Sequence, residues 1–141
     1  MKILIGIPTF DRRIDIDLVR CLINIERQNK HSFDYLFPVS SHLSRNRNLV
    51  CHEALKSGHD AVLFLDSDIG ITDENFVDKL IDTAYKLDAK VVGGAYLMKK
   101  LDETVYIAGE YKVGKIDNLR KRFTEPRLVE GLGTGIMLIF R

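Results

Sequence analysis

The chain has 141 residues, of which 45% are hydrophobic, and it carries a formal net charge of +1. This length suits one domain with its own core, and the near-neutral charge argues against a nucleic acid or a membrane surface as a partner. The apolar run at the amino end is too short for a signal peptide or a membrane span, so we expect a cytoplasmic protein. The two cysteines, Cys21 and Cys51, form no C-x-x-C motif, which indicates reduced, buried thiols.

Strand and helix patterns alternate over the first two thirds of the sequence. In chain order they predict a strand over residues 2–7, a helix over 15–28, a strand over 33–39, a helix from the serines at 40–41 to residue 56, a strand over 60–65, a helix beginning at 72–74 and a strand over 91–96. This alternation is typical of β-α-β units. It predicts an α/β fold with a mostly parallel, Rossmann-like sheet flanked by helices.

The pattern changes after residue 97. Short strands are predicted over 104–108 and 110–113, meeting in a hairpin at Gly109, and residues 115–126 are predicted as a polar loop. The glycine-rich segment 131–135 leads into an apolar run, 136–140, which predicts a buried strand. An exposed final strand could pair with a second copy of the chain, so we expect a homo-oligomer if this strand is open.

One unbroken apolar run, residues 61–65, stops at Asp66 and Asp68. Such a run is typical of a strand that is buried on both faces, as in the centre of a parallel sheet. Residues two apart in an extended chain point the same way, so the two carboxylates should lie together at the carboxyl end of the strand, where open α/β sheets bind ligands. A divalent cation between them is one interpretation, and a polar turn is the other.

The predicted second helix contains the pattern SRNRN over residues 44–48. On a helical wheel Arg47 falls on the same face as Leu43 and Val50, which should be buried. A buried arginine needs a partner, and this helix begins near the sheet edge that carries Asp66. Arg47 therefore either forms a structural salt bridge with Asp66 or another acid, or it binds an anionic group of a ligand.

Two further segments should reach the same edge of the sheet. Thr9 and Asp11 follow the first strand and could contact the base or ribose of a nucleotide, although a turn is the simpler interpretation. The glycines of residues 131–135 precede a strand instead of joining a strand to a helix, which excludes the dinucleotide-binding and P-loop motifs. They could permit close approach of the backbone to a substrate, or they could form bulges.

Three segments together resemble the GT-A-fold glycosyltransferases that use nucleotide-diphospho-sugars, and in particular glycosyltransferase family two. They are IGIPTFDR at residues 5–12, SRNRNLVCHEALKSGHDAVLFLDSDI at 44–69 and VEGLGTGIMLIFR at 129–141. The middle segment is the most specific, because it looks like the family's Ala-Arg-Asn helix followed by the strand with its Asp-x-Asp motif. The resemblance implies one GT-A domain over 1–141, with a nucleotide-sugar-binding part at 1–96 and the start of an acceptor-side part, possibly truncated, at 97–141.

The resemblance also implies an activity and roles for individual residues. The activity is transfer of a sugar from a nucleoside-diphosphate sugar to an acceptor hydroxyl. Mn²⁺ or Mg²⁺ would be held by Asp66 and Asp68 and would bridge the donor diphosphate. The implied donor-binding residues are Pro8, Thr9, Asp11, Arg47, Asn48, Asp66 and Ser67, and the implied acceptor-side residues are Gly133, Thr134 and Gly135.

The general base is not assigned. Family members are commonly longer and supply a carboxylate after the glycine-rich strand, whereas this sequence ends at Arg141 and offers only Glu130 near that end. A non-catalytic glycosyltransferase-like binding or assembly module is therefore the alternative. A sugar-phosphate nucleotidyltransferase would need a glycine-rich, arginine-containing loop after the first strand, and a receiver domain would need an acidic pair there. Residues 8–11 (PTFD) match neither.

Overall fold

The computed structural model describes residues 1–96, 108–112, 115–118 and 125–141, and it gives the backbone alone for 108–112 and 115–118. Within these residues the chain forms three helices, α1 (Ile16–Gln28), α2 (Leu43–Lys56) and α3 (Phe76–Leu87). The strands are β1 (Lys2–Gly6), β2 (Ser32–Leu36), β3 (Ala61–Leu65), β4 (Val91–Gly93), β5 (Ala108–Lys112), β6 (Lys115–Asn118), β7 (Gly131–Leu132) and β8 (Ile136–Phe140).

The described strands form two sheets. The larger sheet has the order β2-β1-β3-β8-β4, and the smaller one has the order β6-β5-β7. In the larger sheet β2, β1 and β3 are parallel, while β8 is antiparallel to both β3 and β4. Four of its strands therefore run in one direction and β8 runs against them. The predicted α/β fold with a mostly parallel sheet and flanking helices is confirmed.

Strand β3 lies at the centre of the core. All five of its residues are buried, as the apolar run predicted. Leu63 and Leu65 pack with residues of α1 and α3 on one face of the sheet, whereas Val62 and Phe64 pack with residues of α2 on the other. Burial of each such side chain stabilises the fold by about 1.5–3 kcal/mol. Strand β3 is therefore held firmly, and the residues that directly follow it have a fixed position.

The buried face of α1 contains a cysteine as well as leucine and isoleucine. Leu18, Cys21 and Ile25 are buried, while Ile23 is 46% exposed. The spacing of three and four residues is the helical one, and Cys21 takes an apolar position in it. Both Cys21 and Cys51 are free thiols, as predicted, the first buried and the second partly buried.

Two helices begin later than the sequence predicted. Helix α2 begins at Leu43 instead of at the serines 40–41, and α3 begins at Phe76 instead of at 72–74. The Ser40 hydroxyl accepts a hydrogen bond from the His42 amide, and the Asp73 carboxylate accepts one from the Asn75 amide. Each side chain thus closes a turn that precedes the helix, because short polar side chains compete with the helix for nearby amides.

Two strands are shorter than predicted. Strand β2 ends at Leu36, and Pro38, which has no amide proton, follows it. Strand β4 ends at Gly93, after which the chain bends away, although the Gly94 amide still donates to the Ile136 carbonyl at 3.0 Å. Both ends lie at the carboxyl edge of the sheet, so the shortening leaves more irregular chain at this edge.

The hairpin prediction at Gly109 is wrong in its position. Gly109 lies inside β5, where it pairs with Asn118 of β6 on one side and Gly131 of β7 on the other. Strand β6 also replaces the first part of the loop predicted over 115–126. Backbone pairing on both sides of Gly109 decides against a turn there. The rest of the predicted strand 104–108, residue 113 and residues 119–124 lie outside the described residues.

The apolar run 136–140 forms β8, an interior strand. Val62 pairs with Ile139 on one side, and Val92 pairs with Leu138 on the other. Both edges of this strand are hydrogen-bonded within the sheet, so it offers no open edge for pairing with a second copy, and the homo-oligomer itself stays a prediction. Separately, none of the described helices combines the length and the apolar character that crossing a bilayer requires.

Two histidines serve packing between elements. His59 is 4% exposed and lies 2.9 Å from the Asp34 carboxylate on β2, whose pKa is lowered mainly by that hydrogen bond. His31 lies 3.0 Å from Asp78 of α3, which also pairs with Lys30. Neither histidine joins a group that could hold a metal among the described residues.

Candidate functional site

The segment that follows β3, residues 66–68, is called the carboxylate turn below. The Asp66 amide donates to the Gly135 carbonyl at 2.9 Å, and the Ser67 carbonyl accepts from the Asp15 amide at 2.8 Å. The Ile69 amide donates back to the Asp66 carbonyl at 3.3 Å. The loop before α1 and the chain entering β8 therefore hold this turn in place at the end of β3 through bonds to its backbone.

Arg47 pairs with Asp66. Its Nη2 donates to the Asp66 carboxylate at 3.2 Å, and the guanidinium carbon lies 6.0 Å from the centre of the Phe64 ring. The side chains are 19% and 35% exposed. Since the pair is only partly buried, its direct contribution to stability is about 1 kcal/mol or less. Of the two interpretations of Arg47, the salt bridge with Asp66 is observed, and contact with a ligand stays a prediction.

The Arg47 Nε atom is buried and makes no hydrogen bond to the described residues. A buried donor without a partner is unfavourable by about 1–3 kcal/mol, so evolution rarely retains one without compensation. The helical wheel correctly predicted that Arg47 and Val50 face inwards. It was wrong for Leu43, which is 47% exposed.

The two carboxylates differ in exposure. Asp66 is half-buried and Asp68 is exposed. Strand β3 ends at Leu65, so both carboxylates belong to a turn, and the alternation of an extended strand does not apply to them. The polar turn and the cation site are thus compatible descriptions of one segment.

No group of three or more histidine, cysteine, aspartate or glutamate side chains in the described part of the chain could hold a metal ion. Magnesium is often held by only one or two carboxylates, with waters and substrate phosphates completing its six oxygen ligands. Asp66 and Asp68 supply hard oxygen atoms of this kind. The donor set therefore fits a cation that binds together with a phosphate ligand, and not a closed cage built by the protein.

Tyr96, which no sequence motif indicated, belongs to this site. Its hydroxyl accepts a hydrogen bond from the Gly135 amide at 2.9 Å, and Gly135 in turn binds Asp66. Burial raises the pKa of Tyr96, the negative charges of Asp66 and Asp68 raise it further, and the Gly135 hydrogen bond and the Arg47 charge oppose them. The tyrosine thus lies within the field of the whole carboxylate turn and remains protonated at neutral pH.

Gly135 could not carry a side chain here. A Cβ atom on it would lie 2.6 Å from Cζ of Tyr96 and 2.8 Å from Cδ1 of Ile69. The group that approaches the Gly135 backbone closely is thus the Tyr96 side chain, while the predicted approach of a substrate stays a prediction. Gly133 and Thr134 are partly buried in the bend between β7 and β8. Their predicted place on the acceptor side stays a prediction.

The predicted donor residues after β1 form a firmly bonded turn. Pro8 and Thr9 are buried. The Thr9 amide donates to the Pro38 carbonyl at 3.0 Å, and its hydroxyl donates to the Arg13 carbonyl at 3.2 Å. Asp11 is exposed and accepts from the Arg13 amide at 3.1 Å. The simpler interpretation of this segment as a turn is observed, and contact with a nucleotide stays a prediction.

Within the SRNRN pattern, Asn46 is the buried amide. It is 4% exposed, and its Nδ2 donates to the carbonyls of Pro38 and Ser40, each at 3.3 Å. Asn48, the predicted donor-binding residue, is exposed. Asn46 therefore fixes the start of α2 against the segment after β2 and so holds Arg47 at the sheet edge. The polar identity of Asn46 was visible in the sequence, but its carbonyl partners were not.

A scan of protein-family models gives no match for this chain, and a search of curated proteins gives none either. Among solved structures, the fold is shared with A197 from STIV, with a TM-score of 0.69 and 22% sequence identity. The match covers 100% of this chain and 65% of A197. The chain thus spans about two thirds of the length of that protein and has its fold.

Proposed function

We propose that this chain binds a nucleoside-diphosphate sugar together with Mn²⁺ or Mg²⁺ and belongs to a glycosyltransferase that transfers the sugar to an acceptor hydroxyl. The observation that carries the proposal is the carboxylate turn at the carboxyl end of β3, with the Arg47 guanidinium 3.2 Å from Asp66. Ligands of open α/β sheets bind at this edge. A turn with two carboxylates, one of them paired with an arginine, suits a diphosphate that carries a divalent cation.

The chemistry of the leaving group explains why both charges are present. When the bond to the anomeric carbon breaks, negative charge develops on the diphosphate, and a bound cation would neutralise part of it. Asp66 and Asp68 would hold that cation. Arg47 would donate to a phosphate oxygen through Nη1, since Nη2 binds Asp66 and the protein covers Nε. Asp66 thereby keeps Arg47 in place before the ligand arrives, which lowers the entropy lost on binding.

The acceptor must lose a proton as it attacks, and the proposal leaves the base unassigned. Glu130 is exposed and lies just before β7. The runner-up proposal is a binding or assembly module that holds the donor without transferring it. Both proposals share the donor site, and they differ only in turnover.

Calorimetric titration with UDP-glucose and GDP-mannose, each with and without Mn²⁺, tests the donor site. We expect binding that depends on the metal and that weakens at least tenfold in Asp68→Asn, since removing one carboxylate ligand typically lowers metal affinity by about that factor or more. Asp82→Asn, which changes an exposed carboxylate on α3, is the matched control and should bind as the wild type does. Failure of the wild type to bind any nucleotide would reject both proposals, and binding without sugar transfer would favour the module.

A further inference from the structure

The sheet edge orders the candidate groups in a line. Thr9 follows β1, Asp66 follows β3, Gly135 precedes β8 and Tyr96 comes three residues after β4. Neighbouring strands lie about 5 Å apart, so Thr9 and Tyr96 lie on opposite sides of the carboxylate turn. A ligand whose diphosphate meets this turn can therefore extend towards β1 in one direction and towards Tyr96 in the other.

The hydrogen-bond geometry of Tyr96 defines what it can offer. Its hydroxyl oxygen accepts the Gly135 amide proton at 2.9 Å, and this bond uses an oxygen lone pair. The hydroxyl proton is not consumed by that bond and is available for donation. The ring is fixed as well, because its tip lies against Gly135 and a Cβ there would be 2.7 Å from the hydroxyl oxygen. A rigid, oriented donor of this kind loses little entropy when it binds a ligand.

We propose that Tyr96 is a specificity residue whose hydroxyl donates a hydrogen bond to the sugar of the donor, on the side of the carboxylate turn away from Thr9. This inference rests on the proposed function, which puts the diphosphate at Asp66 and Asp68, and on the predicted contact of Thr9 and Asp11, after β1, with the nucleoside. It assigns a protein partner to the sugar, which is the part of the ligand for which the sequence motifs indicate none. A hydroxyl donor suits the many acceptor oxygens of a sugar.

The test compares the nucleotide with and without its sugar. Calorimetry would measure the dissociation constants of UDP, UDP-glucose, UDP-galactose, GDP and GDP-mannose in the presence of Mg²⁺. For the sugar nucleotide that the wild type prefers, we expect Tyr96→Phe to weaken binding about fivefold, the typical effect of one neutral hydrogen bond. Affinity for the corresponding nucleoside diphosphate should not change, because that part of the ligand lies on the other side.

The matched control is Tyr85→Phe, which removes the hydroxyl of a tyrosine that is 71% exposed on α3. It should leave all five affinities unchanged. If Tyr96→Phe weakens the nucleoside diphosphate as much as its sugar conjugate, Tyr96 has a structural role and the inference is wrong. Equal affinities of Tyr96→Phe and wild type for every ligand reject it too, while the wild type's own binding still supports the donor site. A wild type that binds none of the five rejects the proposed function itself.

A spectroscopic measurement separates contact from packing. In protein labelled with ¹³Cζ-tyrosine, the Tyr96 signal is assigned as the one that disappears in Tyr96→Phe. We expect this signal to shift when the preferred sugar nucleotide is added with Mg²⁺ and to move much less with the nucleoside diphosphate. The same shift with both ligands would reject the contact with the sugar.

Discussion

The Arg47 guanidinium donates to the Asp66 carboxylate at 3.2 Å and lies over the Phe64 ring, so the amino-terminal part of α2 is tied to the end of β3. The two residues are 19 positions apart in the chain. Their contact links the helix that carries the arginine to the turn that carries the carboxylates. Changes to either residue should therefore affect both binding and stability, in proportions that can be measured.

Replacing Arg47 by lysine should separate these two effects. Lysine keeps the positive charge but lacks the planar guanidinium, whose separate nitrogens can hold Asp66 and a phosphate oxygen in one fixed geometry. We expect Arg47→Lys to reduce the affinity for a nucleotide about tenfold or more, while the free energy of unfolding falls by about 1 kcal/mol or less. Calorimetry and urea unfolding measure the two quantities. Arg45→Lys, at an exposed position two residues earlier, is the control. A large loss of stability with normal binding would show that Arg47 serves the fold alone.

Gly135→Ala should destabilise the protein by about 1–3 kcal/mol, the usual effect of overpacking. The new methyl group would lie 2.6 Å from Tyr96 and 2.8 Å from Ile69. Urea unfolding measures the change. Gly70→Ala is the control, because its Cβ would meet nothing closer than 3.5 Å.

The same crowding predicts a specific rescue. If Tyr96 is the obstacle, Tyr96→Ala should remove much of the extra destabilisation caused by Gly135→Ala, giving a coupling energy that a double-mutant cycle measures. Additive effects of the two changes would contradict the close approach of the tyrosine to Gly135.

Acid should weaken the fold through paired carboxylates. The hydrogen bond from Lys30 holds the pKa of Asp78 below its usual value, and the bond with His31 adds to this. Because the folded pKa lies below the unfolded one, the stabilisation is present above the unfolded value of about 3.9 and is lost as the pH falls through the folded pKa. Urea unfolding from neutral pH to about pH 3 should thus show the stabilities of wild type and Asp78→Asn converging. Asp82→Asn should run parallel to the wild type throughout, and a constant gap for Asp78→Asn would contradict the prediction.

The thiol of Cys21 should be unreactive in the native protein. Burial, together with the nearby charges of Asp73 and Glu74, raises the pKa of this thiol to about 11. The reactive thiolate is therefore scarce at neutral pH. In timed alkylation with iodoacetamide followed by peptide mass spectrometry, Cys51 should be modified before Cys21, since it is only partly buried. Both should react fast in urea. Rapid native labelling of Cys21 would show that α1 opens easily.

The sequence was informative wherever local pattern decides structure. The apolar run 61–65 predicted a strand buried on both faces, and the wheel of α2 predicted that Arg47 points inwards, towards Asp66. Each of these two properties depends on the sequence of a single strand or helix. The starts of α2 and α3 were missed because Ser40 and Asp73 bond amides two residues ahead, and this local competition has no distinct sequence pattern.

The role of Tyr96 could not be predicted, because it depends on a partner 39 residues away. Nothing in the surrounding sequence distinguishes this tyrosine from an exposed one such as Tyr85. Gly135 was a weak indication, since a glycine before a buried strand suggests that another group approaches its backbone closely. The sequence did not specify which group this is. Long-range contacts of this kind arise from sheet order, and the placement of β8 between β3 and β4 is not encoded in any single segment.

That placement of β8 has a consequence for how the chain assembles. Strands β3 and β4 are separated by β8, so neither reaches its final set of hydrogen bonds until a much later part of the chain has inserted between them. The carbonyl of Gly135, which fastens the carboxylate turn through Asp66, arrives with the same strand. Non-local pairing of this sort forms slowly, because a long loop must close first. We therefore expect the edge that carries the carboxylate turn to be completed late in folding, and an intermediate without β8 would lack the Asp66–Gly135 bond that fastens this turn.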